Sequence, residues 1–155
     1  MKFQADLKSV LYLVLITGIF SFFWIYGGSL WTSSQIIFGI GYALFLYFSI
    51  AISVIAHNHT HLPMWTNSLL NRITNVWITL FYGFPIFGWF PTHHKNHHVH
   101  VNTEKDYTRT YQYSEKNNLL TLIAYPFISG RAQQRPVYDF FRKLITMKNK
   151  AYWDA

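Results

Sequence analysis

The sequence predicts an all-α membrane protein, a transmembrane helical hairpin followed by cytoplasmic or interfacial helices that carry clustered histidines. Three observations predict it. The 155 residues are 51% hydrophobic, 20% aromatic and only 12% charged, whereas about a quarter of a water-soluble domain is charged. No Lys, Arg, Asp or Glu occurs from Ser9 to Asn71, while eleven of the thirteen basic residues come after that stretch. All eight histidines fall in two short windows, "HNHTH" at 57–61 and "HHKNHHVH" at 93–100. The net charge of +7 does not point to nucleic acid, because the basic residues form no compact run; a membrane surface is the better partner. With no Cys, disulfides, iron–sulfur clusters and thiolate zinc sites are excluded.

The first span is 10–26, "VLYLVLITGIFSFFWIY", 17 nearly unbroken apolar residues, at the short end of the roughly 17 to 25 that cross hydrocarbon as a helix. Lys2 and Lys8 ahead of an apolar run also suit a signal peptide, but no A-x-A-like cleavage site follows and a second span comes at once. That span is 36–56, 21 residues, entered through the turn "GGSLWTSS". The short connection carries no charge. Lys2 and Lys8 flank one end of the hairpin and Arg72, Lys95, Lys105 and Arg109 follow the other, so the positive-inside rule places both ends in the cytoplasm.

Residues 73–90 are 18 more uncharged positions, which hydropathy alone reads as a third span. Gly83, Pro85 and Gly88 interrupt it, and a full crossing would put the two histidine windows on opposite sides. An interfacial or re-entrant segment over about 69–91 is therefore expected. Residues 102–118, "NTEKDYTRTYQYSEKNN", read as a polar cytoplasmic loop, followed by the apolar patch "LLTLIAYPFI", too short to span. Over 137–148, Val137, Phe140, Phe141, Leu144 and Ile145 recur at helical spacing with Arg142, Lys143 and Lys148 on other faces. That pattern predicts an amphipathic helix in the headgroup region, with a core-packing helix as the alternative.

Within the histidine windows an α-helical period puts His57 and His61 on one face, at the cytoplasmic end of the second span, with His59 on the opposite side. His94, His97 and His98 can converge; His93, His97 and His100 form a competing, weaker set. A lone histidine is usually structural, but five imidazoles in eight residues repel one another as they protonate and gain nothing as ordinary packing. Metal binding is the better reading of the set. Imidazole suits Zn, Cu, Fe and Ni. A zinc peptidase is excluded because "HNHTH" lacks the glutamate of H-E-x-x-H. Copper transport is disfavoured because Met1, Met64 and Met147 do not cluster, and haem ligation because the histidines sit at span ends. Non-haem iron fits best.

These residues resemble the integral-membrane fatty acid desaturase and hydroxylase superfamily, marked by three histidine boxes. His57 and His61 match the first box, H-x-x-x-H; His94, His97 and His98 match the second, H-x-x-H-H. The flanks "HLPMW" and "HHVHVNTEKD" look like bacterial acyl-lipid desaturases, in which an Asn and an acidic residue follow the second box, the places held here by Asn102 and Asp106. The resemblance runs from about residue 10 to the end, making 1–155 a partial desaturase domain.

It implies a non-haem di-iron centre, with no catalytic residue beyond the metal ligands. His59, His93, His100, Asn102 and Asp106 are possible accessories. The implied reaction is O₂-dependent dehydrogenation of a fatty acyl chain. No amino-acid side chain has the oxidising power to break an unactivated C–H bond, so a redox metal must supply it. Electrons would come from an external donor of ferredoxin or cytochrome type, since no G-x-G-x-x-G motif is present. The third box has no match, because no histidine follows His100. The chain is therefore expected to be an N-terminal portion of a longer protein, a split or degenerate gene product, or a protein whose missing half comes from elsewhere. The alternatives are a hydroxylase of the same superfamily and a catalytically silent membrane metal-binding remnant.

Overall fold

The computed structural model describes residues 1–147. All regular structure among them is helical, in two compact units, Met1–Ile86 and Phe87 onward.

The first unit is built on α1 (Asp6–Ser33, 28 residues) and α2 (Gln35–His61, 27 residues). Both are long and apolar enough to cross a membrane; at about 1.5 Å per residue each exceeds the roughly 30 Å of a hydrocarbon core by about two turns. The expected turn at "GGSLWTSS" is a correction: α1 runs through Gly27 and Gly28, and the break is Ser34 alone, extended at φ −156°, ψ 90°. Glycine weakens a helix without forbidding it. The Ser29 and Thr32 hydroxyls donate back to the Tyr26 and Ser29 carbonyls at 2.8 and 2.9 Å, so they do not pull the backbone into a turn. α2 likewise continues past its predicted end at Ala56 and carries His57–His61 on its last turns.

Aromatic contacts pair Trp31 and Phe23 with Phe38, Phe20 with Phe45, and Tyr12 with Phe48. Gly41 makes room for the Phe23 ring, which a side chain there would strike. Leu13, Ile16, Ile52, Ile55, Ala56, Met64 and Ile78 close into a small buried cluster. Much of the remaining apolar surface is open, with Trp24 81% and Ile36 77% exposed. Exposed apolar area on this scale marks contact with lipid or a partner.

α3 (Ser68–Tyr82, 15 residues) starts at Asn67, whose side chain accepts the Leu70 N–H, and stops at Gly83 in the left-handed region, φ 76°. Only glycine adopts that conformation without cost. Of the predicted breakers, Gly83 ends α3 and Pro85 lies in the break, whereas Gly88 falls within the helical turn Ile86–Trp89; α3 alone, about 22 Å long, is too short to cross. One face packs on α1, where the Trp77 indole N–H donates to Thr17 Oγ1 at 2.8 Å. The other leaves Leu69, Ile73, Val76 and Leu80 exposed.

A 3₁₀ turn, Ile86–Trp89, begins at the unit boundary. The second unit continues with a π-helix at Phe90–His97, a single α-turn, α4 (His98–His100), a long loop and α5 (Leu119–Met147, 29 residues). α5 is longer than expected. The apolar patch and the amphipathic segment are one helix, which Asn118 begins by accepting the Thr121 N–H at 3.0 Å, and Pro126 and Pro136 lie inside it. Lys148, the last residue of the predicted amphipathic helix, lies outside the described residues. The predicted apolar face divides: Phe140 packs on Phe90 and Phe141 on Phe87, and Leu144 is buried, while Ile145 is exposed. Much of that face therefore braces the histidine segment.

Candidate metal centre

In the first unit His57 and His61 stand one turn apart on α2 with ring centroids 4.8 Å apart, the i, i+4 neighbourhood the sequence predicts. His59 faces elsewhere and is buried; its Nδ1 accepts the Met64 N–H at 3.1 Å. That bond folds the chain back after α2, and Asn71 secures it by accepting the Trp65 N–H and donating to the Trp65 carbonyl. The Lys2 N–H donates to the Met64 carbonyl at 2.7 Å. His59 is thus built into the turn that ends α2.

In the second unit the π-helix changes which histidines meet. Its backbone bonds close from i to i+5 instead of i to i+4, so residues five apart approach each other. His93 Nε2 and His98 Nε2 are 3.1 Å apart, with ring centroids 4.6 Å apart. His93 also lies 5.5 Å from His97, nearly parallel, and 5.4 Å from His94. His94 and His98 are 5.9 Å apart and His97 and His98 5.7 Å. The α-helical period ranks His93 below His94, His97 and His98; the π winding puts it among them. His100 sits on α4, where its carbonyl accepts the Thr103 N–H.

The segment after the histidines, expected to be simply a polar loop, folds back beneath them. Val101 and Asn102 take positive φ, 20° and 59°, a region in which Asn is among the better tolerated residues. Asn96 is buried; its amide donates to the Lys105 carbonyl and its Oδ1 accepts the Tyr107 N–H. Asp106 is 2% exposed. Its Oδ2 accepts the Asn102 N–H at 2.8 Å and faces His97 Nδ1 at 2.8 Å. Its Oδ1 accepts the Thr108 N–H and hydroxyl, each at 2.8 Å. Burial pushes the Asp106 carboxyl up, but the backbone N–H groups of Thr108 and Asn102, the Thr108 hydroxyl and His97 together hold it down at about 2. Asn102 contributes through its backbone. Asn96, Thr108 and Tyr125, whose hydroxyl donates to the Thr108 carbonyl at 2.9 Å, carry no motif signature and are not legible as site residues in the sequence.

The donor set fits a metal that takes nitrogen ligands. Imidazole–metal bonds of about 2.0–2.1 Å place neighbouring ligand nitrogens about 2.9–3.4 Å apart, for octahedral to tetrahedral angles. The His93–His98 nitrogen pair, at 3.1 Å, falls within that range. A carboxylate on the far nitrogen of a neighbouring histidine is the usual support of such ligands. No family model, curated protein or solved structure matches the chain.

Proposed function

We propose that this chain belongs to a membrane oxidoreductase of fatty acid desaturase type, in which His57 and His61 of the first unit and His94, His97 and His98 of the second bind non-haem iron. The observation that carries the reading is the histidine set itself: a facing pair at the end of a long apolar helix, and a second cluster in which the His98 nitrogen stands at ligand spacing from that of its neighbour His93. Both α1 and α2 offer apolar surface for acyl lipid, and the exposed apolar stripe of α3 with Arg72 beside it suits an interfacial position. α1 and α2 form a transmembrane hairpin whose ends, with both histidine windows, face the cytoplasm, as the basic residues direct.

In the proposed reaction two C–H bonds of adjacent methylenes break and a C=C bond forms. Two electrons from the acyl chain and two from an external donor, with the protons, reduce O₂ to two waters. Iron, when bound, supplies the O₂ chemistry. The chain's own residues hold the ligand nitrogens in place, and the apolar helices deliver the acyl chain without passage through water.

The test is iron binding by the purified chain in lipid nanodiscs, with lipid analysis of cells expressing the gene with its native downstream sequence. Tightly bound iron, lost in His94→Ala and His98→Ala, and unsaturated acyl chains that disappear in the same variants are expected. Less than one tightly bound iron per chain, with no oxidised lipid, would sink the reading in favour of a silent remnant. A hydroxylated product would redirect it to the hydroxylase alternative.

A further inference from the structure

We infer that Asp106, assisted by Thr108, is a positioning residue that fixes the tautomer of His97, so that the ring donates from Nδ1 and presents its Nε2 lone pair to a metal ion. The metal part rests on the reading above; the tautomer rests on hydrogen bonds alone.

Counting protons around His97 Nδ1 decides the tautomer. Two oxygens face His97 Nδ1: Asp106 Oδ2 at 2.8 Å and Thr108 Oγ1 at 3.0 Å. An ionised carboxylate has no proton to give. Thr108 has one, and Asp106 Oδ1 lies 2.8 Å from its hydroxyl. If Nδ1 were bare, its lone pair would point at the oxygen of a buried carboxylate, a repulsion no other group there offsets. Turning the Thr108 proton toward Nδ1 would strip Oδ1 of a donor and leave the clash with Oδ2 in place. With the proton on Nδ1 every group is satisfied: His97 donates to Asp106, Thr108 donates to Asp106, and the Thr108 oxygen remains an acceptor. A neutral imidazole carries one N–H, so Nε2 is the bare nitrogen. Hydrogen bonding to a carboxylate also makes that nitrogen a better donor to metal.

The carboxylate is not free to turn away. The backbone N–H groups of Asn102 and Thr108 grip one oxygen each. The loop bearing them is tied to the histidine helix by both ends of the Asn96 amide and to α5 by the Tyr125 hydroxyl. Asp106 and Thr108 touch the ring only on its Nδ1 side, so they act through His97 and not on substrate.

The experiment is two-bond ¹H–¹⁵N correlation NMR on metal-free, ¹⁵N-histidine-labelled chain in nanodiscs, with His97 identified by the signal lost in His97→Gln, followed by Co²⁺ titration. The Nδ1–H pattern is expected for His97. In Asp106→Asn the amide can turn its NH₂ toward Nδ1, and the pattern should shift to Nε2–H while Co²⁺ affinity falls about tenfold to a hundredfold. Asp106→Glu should restore the Nδ1–H pattern at least in part, which a purely structural role does not require. An Nε2–H pattern in the unmodified chain would overturn the inference, as would an Asp106→Asn chain with unchanged tautomer and unchanged Co²⁺ affinity. If Asp106→Asn does not fold, the spectrum of the unmodified chain decides alone. An Nδ1–H pattern in a chain that binds no Co²⁺ would refute the metal reading and leave the tautomer assignment upheld.

Discussion

His93 Nε2 and His98 Nε2 face each other at 3.1 Å across one turn of π-helix. Metal-free, one ring donates to the other; a metal ion bound there would meet two nitrogens already at ligand spacing. π-Helical turns recur at functional sites because they re-aim side chains that an α-helix would splay. His93→Ala is therefore expected to weaken Co²⁺ or Fe²⁺ binding by more than tenfold, as much as His98→Ala. Metal titration of both variants checks this; a His93→Ala chain with unaltered affinity would return His93 to the periphery.

His59 predicts the opposite behaviour. Its Nδ1 is engaged by the Met64 N–H in a buried turn, so His59→Ala leaves a buried donor unmet and is expected to cost about 1–3 kcal/mol of stability. Bound iron per chain should stay the same. Denaturation and iron content measured on one preparation separate the two effects, and lost iron with unchanged stability would make His59 a ligand.

Acid sensitivity should trace to Asp106. Its folded pKa, about 2, lies below the ordinary 3.8, so the stabilisation it contributes is fully present above pH about 4 and is lost as pH falls through about 2. The difference corresponds to roughly 2 kcal/mol. Near-UV circular dichroism over that range should show loss of tertiary signal in the unmodified chain. Asp106→Asn should be less stable at pH 7 and lack this step. A step of equal size in Asp106→Asn would assign it to another carboxyl.

The parts of the fold that depend on local pattern were legible in the sequence, and those that depend on backbone winding were not. The two apolar runs and the Gly83–Pro85 break announce α1, α2 and the end of α3, because burial period and glycine chemistry act within a few residues. The facing of His57 and His61 follows from four-residue spacing on an α-helix. The His93–His98 contact does not, since nothing in "HHKNHHVH" signals i to i+5 bonding. Gly27–Gly28 read as part of a turn, yet α1 runs through them. Asp106 is marked in the sequence only through the family resemblance, as an accessory; its burial is not legible there, because it depends on positive φ at Val101 and Asn102 and on the Asn96 clasp, which bring together residues nine to eleven apart.

The central proposal is that both histidine windows bind iron on the cytoplasmic side of the membrane. The chain has no cysteine, so Asn58→Cys and Val99→Cys, both at exposed positions, give clean single reporters for a membrane-impermeant maleimide in sealed right-side-out and inverted vesicles. Labelling of both residues only in inverted vesicles is the predicted result. Labelling of one residue from each side would contradict the account.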